Sequence, residues 1–71
     1  MKISYKKLFL LIVEKDMTNA QVRQAAKLST STFAKLKKNE LVALEVLIRI
    51  CGVLQCQIGD VVEIISYGSP E

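Results

Sequence analysis

The chain has 71 residues, of which 51% are hydrophobic, and a formal net charge of +3 with a pI of about 9.0. This length allows a single domain over residues 1–71, and the hydrophobic content argues against disorder. The absence of histidine and the presence of only two cysteines leave a Cys/His zinc site without ligands, so no metal or other cofactor is expected, and no apolar run approaches the roughly 20 residues of a membrane span.

The first predicted helix covers residues 6–15. Three apolar residues recur at helical spacing and form a core stripe: Leu8, Leu11 and Ile12. Three others fall outside that stripe: Phe9, Leu10 and Val13. A helix that is apolar on nearly all sides needs a second partner. Residues 1–5 before it are predicted to form an N-terminal arm.

The second predicted helix covers residues 19–26. Thr18 and Gln21 have the spacing of a capping box, in which each side chain bonds the other's backbone amide. Met17 and Val22 have the spacing of the hydrophobic staple that accompanies such a helix start. These residues therefore fix where the helix begins.

The third predicted helix covers residues 30–38 and begins after Ser29 as its cap. Only Ala25, Ala26, Lys27 and Leu28 lie at the junction before Ser29, so the two helices are joined by a tight turn. Phe33 and Leu36 are its apolar anchors, and the rest of the helix is polar or cationic with no acidic residue. Two short helices across a tight turn are the layout of a helix-turn-helix, whose second helix is presented to a DNA major groove.

The fourth predicted helix covers residues 44–54 and has a poor cap in Ala43. Its predicted core stripe is Leu44, Leu47, Ile48, Cys51 and Leu54, with Ile50 at the edge. Ile58, Val61 and Val62 fit a short fifth helix, whereas residues 62–67 alternate and are β-branched, which fits a strand. Residues 1–5 have similar character, so a small two-strand ribbon between the termini is also compatible with the sequence. Residues 68–71 are predicted to be a frayed tail.

Taken together, the elements predict an all-α fold, a compact bundle of about five short helices. Cys51 is interpreted as a small core residue. If Cys51 and Cys56 shared one helix, five residues apart, they would point in different directions, which disfavours a disulfide. Tyr5 and Tyr67 could stack on single-stranded nucleic acid, but edge positions near the termini fit them better.

The sequence resembles the Cro-type, or XRE-type, helix-turn-helix regulators, and within them a subgroup of very small YozG-like members. The similarity rests on two blocks in order, KDMTNAQVRQAAKLSTSTFAKLKKNE followed by LEVLIRICGVLQCQIGDVVEII. It implies a lambda-repressor-like DNA-binding fold. Glycine is usual in that family at the sites of Asp16, Lys27 and Asn39, where a positive φ is therefore expected. Arg23 stands where the family has a small alanine, and we expect its side chain to lie over the turn.

The resemblance also implies which residues contact DNA. The expected base contacts are Thr30, Ser31 and Lys35. The expected contacts to the DNA backbone are Thr18, Asn19, Ser29, Thr32, Lys38 and Asn39. Residue chemistry agrees with this assignment, because helix periodicity places Thr30, Ser31 and Lys35 opposite the apolar anchors, and Lys, Ser and Thr can all donate to base edges. The same cations could instead form an ordinary solvated helix face.

The leading interpretation is a cytoplasmic, sequence-specific transcriptional regulator of double-stranded DNA, acting as a repressor and without a small-molecule ligand. A homodimer would span two half-sites, and its candidate surface is Phe9, Leu10, Val13, Ile64 and Ile65. Alternatively the C-terminal segment folds back over the first helix within one chain. The second interpretation is a protein-interaction module, such as an antitoxin or co-regulator, that uses the same apolar surface. An enzyme is disfavoured, because there is no histidine and no carboxylate pair in an apolar setting.

Overall fold

The computed structural model describes residues 2–67 as four α-helices and a two-strand ribbon. The helices are α1 (Lys6–Glu14), α2 (Asn19–Ala25), α3 (Thr30–Lys37) and α4 (Leu44–Leu54). The strands are β1 (Lys2–Ser4) and β2 (Glu63–Ser66), which pair antiparallel. The ribbon confirms the extended alternative at both ends of the described chain. The predicted fifth helix is not confirmed as an α-helix, since Ile58–Asp60 forms a single 3-10 turn.

All four helices end in the same way, on a residue with a left-handed backbone. The φ angles are 56° at Asp16, 58° at Lys27, 59° at Asn39 and 53° at Gln55. After each of these residues the next backbone amide bonds back to a carbonyl five residues earlier, as from Leu28 to Arg23 and from Cys56 to Cys51, which is the Schellman motif. The three predicted positive φ angles are confirmed, and Gln55 adds a fourth. None of the four positions is the glycine that such an ending favours.

The core lies between the helices and is closed by the turn that precedes β2. Its fully buried large side chains are Tyr5, Leu8, Ile12, Val22, Leu36, Ile50, Leu54 and Val61. The prediction that Tyr5 lies at an edge is wrong. The Tyr5 ring enters the core and its hydroxyl donates to the carbonyl oxygen of Glu40 at 2.8 Å, so burial leaves the hydroxyl paired. Burial also raises the pKa of Tyr5.

Helix α4 is rotated relative to the predicted stripe. Leu47, Ile50 and Leu54 face the core, whereas Leu44 is 62% exposed and Ile48 is 56% exposed. The physical reason is that α4 is apolar on more than one side, so helical spacing fits several stripes and only packing against the other elements selects one. Ile50, placed at the edge by the sequence, is completely buried.

The two cysteines also depart from the sequence interpretation. Cys51 is half-buried against the core, but Cys56 follows the left-handed Gln55 and therefore lies beyond α4 rather than on it. Both thiols are free. Burial, and then the neighbouring Cys56 thiol, raises the pKa of Cys51 to about 11, so this thiol stays protonated near neutral pH.

The predictions for the two ends of the chain fare differently. Lys2–Ser4, expected as an arm, is held in the ribbon, while Tyr67 is largely exposed. Residues 68–71, expected to be a frayed tail, lie outside the described residues. Within residues 2–67, no helix has both the length and the apolar character that crossing a bilayer requires.

Candidate nucleic-acid interface

The start of α2 is fixed by the predicted capping box. The Thr18 hydroxyl oxygen accepts from the Gln21 amide at 3.1 Å, and the Gln21 side-chain oxygen accepts from the Thr18 amide at 2.8 Å. The backbone amides of Thr18 and Gln21, which have no partner within the helix, thereby gain hydrogen-bond acceptors. Val22 is fully buried and Met17 packs at the edge of the core, as the staple spacing requires.

The start of α3 is fixed by Ser29, whose hydroxyl oxygen accepts from the Thr32 amide at 3.1 Å. The same hydroxyl donates to the Thr32 hydroxyl at 2.9 Å and lies 3.1 Å from the Ser31 hydroxyl. The predicted cap is confirmed, and it links three hydroxyl groups at the outer end of the helix.

Two arginines hold the turn between these helices. Arg23 donates from Nη1 to the carbonyl oxygen of Leu28 at 3.3 Å. Arg49 reaches the preceding carbonyl, that of Lys27, at 3.5 Å and also pairs with Glu45 at 2.5 Å. The expectation that Arg23 lies over the turn is therefore confirmed. Because the carbonyls of the left-handed Lys27 and of Leu28 are both hydrogen-bonded, the turn is restrained from both α2 and α4.

Helix α3 is anchored by Phe33 and Leu36, which are buried. The Phe33 ring meets the Phe9 ring edge-on, with 6.0 Å between centroids. The three expected base contacts, Thr30, Ser31 and Lys35, are all exposed on the side of α3 away from these anchors. Neither the Thr30 hydroxyl nor the Lys35 ammonium has a partner within residues 2–67, so both are available to a ligand.

The six expected backbone contacts differ in exposure. Thr18, Asn19, Ser29, Lys38 and Asn39 are exposed, while Thr32 is half-buried beneath the Ser29 cap. Asn39 has a structural task as well, because its side-chain oxygen accepts from the Tyr5 amide at 3.0 Å. Its side-chain amide group remains available as a donor.

The charge distribution adds a signal that extends beyond α3. Residues 17–39 contain five cations and no carboxylate, whereas the rest of the chain carries five cations and seven carboxylates. The helix-turn-helix segment therefore has a charge of +5 on a remainder of −2. The net charge of the whole chain is only +3, which conceals this asymmetry. Counting the charges segment by segment reveals it.

The five candidate dimer residues differ in exposure. Leu10, Val13, Ile64 and Ile65 are exposed, but Phe9 is half-buried and turned toward Phe33. Ile64 and Ile65 are consecutive in β2, so they point to opposite faces of the ribbon. The sequence reading missed a further group of exposed apolar residues, Leu41, Leu44 and Ile48.

A protein-family model for the Cro/C1-type helix-turn-helix DNA-binding domain matches residues 7–66. The chain belongs to the Cro/C1-type helix-turn-helix family. The crystal structure of the transcriptional regulator VanUg (form II) is similar to it, with a TM-score of 0.85 and 48% identity over 87% of this chain and 83% of that one. No curated protein matches the chain. Membership of the Cro/C1-type family supports binding to double-stranded DNA.

Proposed function

We propose that this Cro/C1-type domain is a sequence-specific transcriptional regulator that represses by occupying an operator, with α3 lying in the major groove. The observation that carries the proposal is the exposed, carboxylate-free face of α3, supported from behind by Phe33 and Leu36. A short helix in this setting offers its polar side to a ligand without giving up core packing. The similarity to the regulator VanUg supports the regulatory role.

In this proposal the base contacts are made by Thr30, Ser31 and Lys35. The Lys35 ammonium can donate to guanine O6 and N7, and the hydroxyls can contact either kind of base or a thymine methyl. The face contains no glutamine or arginine for bidentate recognition. We therefore expect discrimination between sites to be moderate.

The backbone contacts place α3 and carry no sequence information of their own. Asn19 and Lys38 supply free donors. The side-chain amide group of Asn39 is a third, since only its oxygen is used by Tyr5. The hydroxyls of Thr18, Ser29 and Thr32 already take part in the hydrogen bonds at the two helix starts. Each could therefore give a phosphate only the bonding capacity that those hydrogen bonds leave unused.

We also propose a homodimer, because one α3 reads only a few base pairs and a pair spans two half-sites about one turn apart. The exposed Leu10, Val13, Ile64 and Ile65 remain candidates for its surface. Cytoplasmic localisation and membership of the small YozG-like subgroup belong to the same proposal.

The second candidate function is a protein-interaction module, such as an antitoxin or co-regulator. Exposed apolar side chains on both α1 and β2 favour it, since large apolar residues at a surface mark protein contacts when they cluster. The two functions predict different partners for the purified protein: duplex DNA alone, or another protein in place of DNA.

The test is selection of bound duplexes from a random pool at two salt concentrations, with the wild type, Lys35→Ala and Lys7→Ala. Lys7 is an exposed cation in the first turn of α1, outside the helix-turn-helix segment, so its variant matches the loss of charge. We expect the wild type to enrich related half-sites, Lys35→Ala to relax the preference at one or two positions, and Lys7→Ala to keep it. Enrichment of no sequence, or equal behaviour of the two variants, would refute α3 as the reading helix.

A further inference from the structure

A cleft between α2 and α3 lies beside the proposed base-reading face. It is open to solvent and has a volume of about 320 Å³. Its lining residues come from the two helices: Asn19, Ala20, Arg23, Thr30, Phe33, Ala34 and Lys37. Thr30 belongs both to this cleft and to the base-reading face, so whatever occupies the cleft would touch the edge of the groove that α3 enters.

Two cations line the cleft, and neither was among the expected DNA contacts. Arg23 is half-buried and uses Nη1 for the Leu28 carbonyl. The Lys37 ammonium lies 5.8 Å from the centroid of the Phe33 ring. Within residues 2–67 neither side chain pairs with a carboxylate, since the ion pair there is Arg49 with Glu45. The rest of the Arg23 guanidinium and the Lys37 ammonium therefore have donors to offer.

The remaining lining residues supply polar groups and room. Asn19 and Thr30 contribute an amide and a hydroxyl, while Ala20 and Ala34 have small side chains. Half-burial removes water from around Arg23, which strengthens a charge-assisted bond to a bound anion. A guanidinium also matches the geometry of phosphate oxygens.

We propose that this cleft binds one backbone phosphate of the DNA duplex, with Arg23 and Lys37 as its ligands. The inference rests on the proposed function of α3 and names two contacts beyond it. Because Arg23 also donates to the Leu28 carbonyl, the same side chain links the phosphate to the turn that orients α3. It therefore positions the reading helix as well as binding the backbone.

The test is the salt dependence of binding to one selected duplex, measured for the wild type and for Arg23→Met, Lys37→Met and the double variant. Methionine keeps an unbranched stem and removes the charge. One phosphate contact contributes about 0.9 to the slope of log affinity against log salt. Between 50 and 200 mM salt we expect the wild type to lose about three- to fourfold more affinity than the double variant. Base preference should not change in Lys37→Met, because phosphate contacts do not specify sequence.

Arg49→Met is the matched control. It also removes an arginine that donates to a turn carbonyl, but Arg49 does not line the cleft and its charge is already paired with Glu45. We expect its slope to equal that of the wild type. A loss of slope in Arg49→Met as large as in Arg23→Met would assign the effect to the turn and overturn the phosphate site.

Two further outcomes separate this inference from the proposed function. A salt-dependent wild type whose slope is unchanged in the double variant refutes the cleft and leaves α3 as the reading helix. A wild type without salt-dependent binding refutes the DNA function itself. If Arg23→Met does not fold, the affinity of Lys37→Met at 50 mM salt decides the matter, because Lys37 is exposed on the surface of α3. Binding as tight as that of the wild type would overturn the proposal.

Discussion

Helices α3 and α4 follow one another in the chain but use their side chains differently. Helix α3 buries two residues, Phe33 and Leu36, and exposes an otherwise polar and cationic surface. Helix α4 buries three and also exposes Leu44 and Ile48. The difference shows that two anchors are enough to hold a short helix whose start is well capped, which leaves most of α3 free for a ligand. Helix α4 has no side-chain cap at its start, and it leaves apolar residues exposed.

The largest expected effect tests the orientation of α4. Ile50→Ala should lower the free energy of unfolding by about 2–5 kcal/mol, since it empties a buried site. Ile48→Ala is the matched control, and it should change that energy by less than about 0.5 kcal/mol because Ile48 is 56% exposed. Urea denaturation of both variants measures the difference. Equal losses would mean that Ile48 is covered in solution, and a dependence on protein concentration would then identify a second copy as the cover.

The next effect compares the two helix caps. Ser29→Ala should destabilise the protein by about 1 kcal/mol, because the Thr32 amide loses its acceptor. Ala43→Ser should stabilise it by a similar or smaller amount, since Ala43 has the extended backbone of a capping residue (φ −63°, ψ 147°) but no side-chain acceptor. Thermal unfolding of the two variants gives both signs. A destabilising Ala43→Ser would show that α4 begins elsewhere.

The smallest expected effect concerns the helix endings. Lys27→Gly should raise stability by a few tenths to about 1 kcal/mol, because glycine adopts the φ of 58° without strain. Asn39→Gly has the same backbone benefit but loses the bond to the Tyr5 amide, so we expect no gain there. The melting temperatures of the two variants give the comparison. An unchanged or lower value for Lys27→Gly would contradict the turn geometry.

What the sequence predicted follows the same division between α3 and α4. Caps depend on a few neighbouring residues, so Thr18 and Ser29 could be recognised without a tertiary structure. The left-handed Lys27 was expected from the family resemblance. The face that α4 buries depends on all its neighbours, and an apolar helix offers several solutions. The ring of Tyr5 was misplaced for the same reason, since its partner is a carbonyl 35 residues away.

The part of the candidate site that lies on one helix could be predicted from the sequence. The part that lies between two helices could not. The exposure of Thr30, Ser31 and Lys35 follows from the position of Phe33 and Leu36 on one helix. The cleft that contains Arg23 and Lys37 requires the crossing of α2 and α3, which no periodicity within either helix reveals.

The most direct test of the central claim is the change in backbone amide NMR shifts when a selected duplex is added to the labelled protein. If α3 enters the major groove, we expect the largest changes at Thr30, Ser31 and Lys35, with small changes around Leu44 and Ile48. Large changes confined to Leu44 and Ile48, with α3 unaffected, would contradict it, because the apolar side of α4 would then be the surface that meets DNA.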